Sequence, residues 1–150
     1  MRFYTTACRL GRLAGLVLAG LMSAAMPSAA AAERVLAENG RTGYVIVEPE
    51  SPTPVELTTV RDLASLLRQI TGAEFPVVGP AAAGGHDKRV FVGYSAPMRA
   101  VAGEEAPAGY EERVYRTVGD DLLLYGDGVC GTVFAVYQFL QEQLDCRWFH

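Results

Sequence analysis

The chain has 150 residues, half of them hydrophobic and one fifth charged, with a formal net charge of −4. That acidic balance disfavours nucleic acid and anionic membrane surfaces as partners, and it leaves neutral polymers open.

The first 32 residues read as a segment apart. Arg2, Arg9 and Arg12 come before any acidic residue, the first of which is Glu33. Residues 13–26 are apolar, broken only by small residues, and Pro27, Ser28 and four alanines at 29–32 follow. A basic start, a short apolar stretch and a small-residue cleavage site describe a secretory signal peptide, with cleavage expected after Ala32. The apolar run is shorter than the roughly 20 residues that span a bilayer. Cys8 precedes it, which argues against a lipid-modified cysteine at the cleavage site. The block also lacks the amphipathic, Ser-rich pattern of an organelle transit peptide. The expected product is an exported protein, periplasmic or extracellular, with no membrane attachment after cleavage.

Residues 33–150 number 118 and carry ten basic and seventeen acidic side chains, a balance of −7. That is one domain, long enough to bury a core. Lys88 is the single lysine against twelve arginines, which with the abundant alanine and glycine suggests a GC-rich bacterial coding source. Cys130 and Cys146 remain after processing. Export permits a disulfide, but one predicted helix separates them. About 14 helical residues span roughly 21 Å, whereas bridged Cα atoms lie within about 7 Å. Two free thiols are expected unless Cys146 pairs with another chain.

Along the domain, residues 33–43 read as an irregular lead-in and Tyr44–Val47 as a first buried strand. A Pro-rich turn at 48–54 leads to a helix with a clear start: Thr53 at the N-cap, Pro54 at the first helical position, Glu56 at the third. Val60, Leu63, Ala64, Leu67 and Ile70 follow at helical spacing, and Gly72 closes the helix. Residues 74–78 read as a strand in which Pro76 suggests an edge position or a strand end, 79–88 as a loop, and 89–92 as a strand ended by Gly93. Residues 95–101 suggest one helical turn, and 102–109 a further loop. Residues 111–118 and 122–125 flank Gly119-Asp120-Asp121 as an antiparallel hairpin.

The last helix is expected over Gly131–Leu144, with Val133, Val136, Tyr137, Leu140 and Leu144 on one face and Phe134 and Phe139 off it. Apolar residues on more than one side predict cover beyond the sheet. The ending Cys146-Arg147-Trp148-Phe149-His150 predicts either a last strand or a polypeptide that continues. The fold class expected is α/β of the α+β type: a two-layer sandwich, one mixed sheet with two main helices on one face.

Gly126-Asp127-Gly128-Val129-Cys130-Gly131 matches G-x-G-x-x-G between a strand and a helix, and Asp145 lies downstream. A dinucleotide unit needs a second parallel strand after that helix, and too few residues remain. Asp127 also places negative charge where a pyrophosphate would lie. A strand-to-helix turn requiring glycine is the better reading. Cys130 lacks a base, since the two histidines are His86 in a glycine-rich loop and His150 at the end. Two histidines and two distant cysteines form no metal-ligand pattern. Glu104-Glu105, Glu111-Glu112 and Asp120-Asp121 fall in loops or hairpin ends. Neighbours in a strand point to opposite faces, so such doublets are not the paired carboxylates of a glycosidase. No catalytic residue, cofactor or metal is expected within this chain.

Two segments carry a resemblance. Residues 61–78 (RDLASLLRQITGAEFPVV) resemble the helix-to-strand passage of the accessory domain at the N-terminus of α-glucuronidases, and a similar domain precedes the barrel of β-hexosaminidases. Residues 126–149 (GDGVCGTVFAVYQFLQEQLDCRWF) look like its closing helix and exit strand. The likeness extends to a bacterial group pairing such a domain with a barrel, and with the intervening strands it covers nearly all of residues 33–150. Two positions depart from that group, which usually has Arg at the position of Cys130 and often Gly at that of Asp145.

In those families the catalytic acids lie in the barrel after the exit strand, so none maps onto this chain. The resemblance implies an accessory domain of an exported glycoside hydrolase acting on carbohydrate, with a catalytic barrel, attached or separate, as its partner. Phe134, Phe139, Trp148 and Phe149 are the expected barrel-facing or sugar-contacting residues. The alternative is a free-standing exported module that binds a polysaccharide or another partner.

Overall fold

The computed structural model describes residues 2–3, 34–103, 112–127 and 130–147. A small ladder pairs β1 (Arg2–Phe3) antiparallel to β2 (Arg34–Val35). The rest of the predicted leader, Trp148, Phe149 and His150 lie outside the described residues. The remaining elements are β3 (Tyr44–Val47), α1 (Pro54–Thr71), β4 (Val77–Val78), a 3₁₀ helix (Pro80–Gly85), β5 (Lys88–Val92), α2 (Ala96–Ala102), β6 (Arg113–Val118), β7 (Asp121–Gly126) and α3 (Gly131–Leu144).

Five strands form one mixed sheet in the order β4-β3-β5-β7-β6. The first four run parallel, and β6 returns antiparallel to β7 through the expected hairpin. Gly119 takes a φ of 58° at the head of the two-residue loop, where glycine relieves the steric cost.

The two main helices, α1 and α3, pack on one face. Tyr44, Ile46, Val90, Val92, Leu122 and Leu124 meet Val60, Leu63 and Leu67 of α1 and Val136, Phe139 and Leu140 of α3. The intervening strand residues point the other way. Val45, Val47, Phe91, Leu123 and Tyr125 are covered by Met98 of α2 and Ala83 of the 3₁₀ helix. That thinner second cover explains why the central strands are apolar without alternation.

Local chemistry sets the boundaries of α1. The Thr53 hydroxyl accepts the Glu56 N–H at 3.2 Å, and the Glu56 carboxylate accepts the Thr53 N–H at 2.8 Å. At the other end Gly72 adopts φ 71° and donates its N–H to the Arg68 carbonyl at 2.8 Å. The 74–78 strand shortens to Val77–Val78. Pro76 has no N–H to offer, although its carbonyl still accepts from Ile46 at 2.8 Å.

The start of β7 is fixed to β5 by charge. Arg89 donates from Nε to Asp121 Oδ1 at 2.9 Å and from Nη2 to Oδ2 at 2.6 Å, and its backbone N–H reaches Oδ1 at 3.1 Å. The hydrogen-bonded Asp121 carboxylate raises the Arg89 pKa above its ordinary value. Cys130 and Cys146 are unpaired, one at each end of α3.

The buried face of α3 keeps Val136, Leu140 and Leu144 of the expected stripe and extends to the side of Thr132, Ala135 and Phe139. Gly131, Thr132, Ala135, Val136, Phe139, Leu140 and Leu144 are buried. Small side chains at 131, 132 and 135 let the helix approach the sheet, so its axis turns toward them. Phe139 thereby becomes core, with no exposed surface and a T-shaped contact to Tyr115 at 6.2 Å between centroids. It is not available to an outside partner, and the expectation for this residue is corrected. Phe134 stays on the outside, 40% exposed.

Candidate functional site

In open α/β sheets, ligands gather beyond the carboxyl ends of parallel strands where the strand order reverses. Here β3 connects to β4 on one side, and the chain continues through β5 on the other, so that point lies between β3 and β5. The protein fills it with its own groups. A Cβ added to Gly93 would come within 2.9 Å of the Pro49 ring and 3.3 Å of the Glu56 carboxylate. The Glu50 N–H donates to the Tyr94 carbonyl at 3.1 Å, and its carboxylate accepts the Ala96 N–H at the start of α2 at 3.2 Å. Glu56 caps α1 in the same way. Both helix N-termini that could cradle a phosphate carry the chain's own carboxylates.

The glycine-rich turn between β7 and α3 has a steric explanation. A Cβ on Gly126 would lie 2.3 Å from the carbonyl carbon of Gly131 and 2.4 Å from the Glu112 oxygen. One on Gly131 would lie 2.8 Å from that oxygen and 2.8 Å from the carbonyl carbon of Gly126. The Asp127 N–H donates to the same Glu112 carbonyl at 2.9 Å. Three backbone segments meet there with no room for a side chain. Gly128 and Val129 lie outside the described residues. Among the described residues, no group of three His, Cys, Asp or Glu side chains could hold a metal ion.

Nearby, the Tyr94 hydroxyl is enclosed without a hydrogen-bond partner among the described residues, and its ring stands edge-on to Tyr125 at 5.5 Å. Burial, helped by the neighbouring Tyr125, Asp127 and Glu112, pushes its pKa up to about 12. It is a neutral phenol at physiological pH.

Among the described residues an open concavity lies elsewhere, between the outer face of α3 and the edge strand β6. It is a groove of about 460 Å³ lined by Arg113, Phe134, Tyr137, Gln138, Gln141 and Glu142. Residues 134, 138 and 141 recur at helical spacing along α3. Arg113 reaches in from β6 and donates from Nε to Gln138 Oε1 at 2.6 Å. The Gln138 amide donates to Glu142 Oε1 at 2.7 Å, and the Tyr115 hydroxyl donates to Glu142 Oε2. These bonds, Tyr115 first, hold the Glu142 carboxyl below its ordinary pKa. On the α1 side, the Tyr137 hydroxyl donates to Asp62 at 2.9 Å. Arg113, Gln138, Glu142 and Tyr115 are thus joined in one hydrogen-bonded set, with the Tyr137–Asp62 pair beside it.

No protein-family model matches this chain, and no curated protein shows significant similarity to it. What the groove can do follows from its own chemistry.

Of the residues expected to make outside contacts, Phe134 lines this groove, Phe139 is core, and Trp148 and Phe149 lie outside the described residues. Apolar spacing marks Tyr137 only as part of an apolar helix face, and it does not mark Arg113, Gln138, Gln141 or Glu142 at all. The stripe 134-138-141 was the available signal on α3. The contribution of Arg113 depends on β6 lying beside that helix, which spacing along the chain does not reveal.

Proposed function

We propose that this chain is a non-catalytic accessory domain of an exported glycoside hydrolase, placed ahead of a catalytic barrel and packed against it. The sequence resemblance of residues 61–78 and 126–149 supports this reading, because those segments supply α1, β4 and α3 of the fold. The observation that carries it is the end of the domain from which the chain leaves α3. Both main helices run back against the parallel strands, so their C-termini share that end.

There Asp145 takes a left-handed φ of 52°, and the Cys146 N–H turns back to the Leu140 carbonyl at 3.1 Å, directing the chain away from the helix. Ile70, near the end of α1, and Val35, in the lead-in at the same end, are 38% and 41% exposed. Large apolar side chains beside a chain exit suit contact with a following domain.

The test is the size of the native protein, read by immunoblot of the source's exported fraction with an antibody to this domain. The expected band is several times larger than residues 33–150. A band matching that segment alone would overturn the attached-barrel reading and favour a free-standing module.

A further inference from the structure

We infer that the groove between α3 and β6 is a binding subsite for a neutral saccharide, with Phe134 as its stacking platform. The inference deepens the carbohydrate reading above and rests on it for the choice of probes. The binding chemistry is drawn from the groove itself.

Its volume of about 460 Å³ falls within the roughly 300–1,000 Å³ of small-ligand sites. One apolar ring, Phe134, stands 40% exposed in the groove. Every other lining residue is polar: Arg113, Tyr137, Gln138, Gln141 and Glu142. A pyranose needs the mixture seen here, a flat apolar surface for its C–H face and planar donors and acceptors for its hydroxyls.

Those planar groups are already ordered. Arg113, Gln138, Glu142 and Tyr115 form one chain of hydrogen bonds, so binding need not immobilise each side chain anew. The chain also leaves donors in reserve. Arg113 uses Nε for Gln138, and its Nη groups have no partner among the described residues; nor does the Gln141 amide. Charge narrows the ligand further. The lining holds one cation, Arg113, and one anion, Glu142, coupled through Gln138. The two charges cancel, so the groove draws in neither anions nor cations by its net field.

The test is titration of the purified full chain with xylohexaose, cellohexaose, mannohexaose and chitohexaose, followed by amide chemical shifts. At least one should shift amides of α3 and β6 at millimolar concentration, with little dependence on salt. Phe134→Ala should weaken that affinity at least about tenfold, about 1.4 kcal/mol, while Phe134→Trp retains it. Phe134 is on the surface, so both variants should keep the wild-type melting temperature.

The inference is overturned if none of the four sugars shifts these amides, if the shifts fall elsewhere, or if Phe134→Ala binds as wild type. Salt-sensitive binding of a uronate oligomer in preference to all four would overturn the neutral class. None of these outcomes bears on the size of the native protein, so the subsite and the accessory-domain reading fail separately.

Discussion

Asp121 is a buried carboxylate whose two oxygens take three hydrogen bonds from Arg89, one of them from the backbone. Parallel pairing of β5 with β7 brings the two together from strands distant in sequence. Removing one partner of such a pair leaves the other desolvated without compensation, which costs about 3–5 kcal/mol when both are fully buried. The Arg89 side chain keeps 20% exposure, so Asp121→Ala is expected to cost about 2–4 kcal/mol. Urea unfolding monitored by circular dichroism measures it. A loss below about 0.5 kcal/mol, the level of an ordinary surface change, would show that the pair contributes nothing to pairing these strands.

The elements differ in how openly the sequence declared them. The start and stop of α1 are written locally, in Thr53, Pro54, Glu56 and Gly72, and they appear as expected. The hairpin is equally local. The buried face of α3 was legible in part: Val136, Leu140 and Leu144 are buried as expected, but counting large apolar residues overlooks Thr132 and Ala135, whose smallness brings Phe139 into the core. Phe139→Ala is therefore expected to cost about 3–5 kcal/mol, and Phe134→Ala less than about 1 kcal/mol. Equal losses in denaturant melts would refute the extended face. The Gly- and Ala-rich stretch of the 3₁₀ helix at Pro80–Gly85 carries no helical signal, and only its place beside Phe91 and Met98 in the second core gives it a role. The glycine turn was legible as a turn but not in its cause. Gly126→Ala would drive a methyl into two backbone segments that cannot rotate away. The expected loss is about 3 kcal/mol or more, seen as a collapsed melting temperature or insoluble expression. Wild-type stability would mean that α3 sits farther from β7 than described.

For the whole molecule, stability against pH follows from which groups hold their protons differently once folded. Burial raises the phenols of Tyr44, Tyr94, Tyr115 and Tyr137, Tyr94 to about 12. A raised phenol contributes stability that is complete below its unfolded pKa of about 10 and is lost as pH climbs through the folded value. The lowered Glu142 acts at the other end. Its contribution is present above about pH 4.3 and is lost as pH falls through the folded value, and solvent exposure keeps it small. Thermal melts across pH should show a plateau in between and a steeper fall on the alkaline side. Tyr94→Phe should soften that fall; an unchanged alkaline limb would remove Tyr94 from the account.

The two margins of the sheet also differ in a way that governs how the protein behaves when concentrated. An unprotected strand margin templates pairing with other molecules. At one margin β4 is only two residues long and follows Pro76, too short to template anything. At the other, β6 offers six residues, and Arg113 and Arg116 are the charges that break its run of Val, Tyr and Thr. Replacing both with valine would leave an uninterrupted β-prone segment. Light scattering should then show time-dependent aggregation faster than that of the wild-type protein. The arginine that orders the groove would thus also keep neighbouring copies apart.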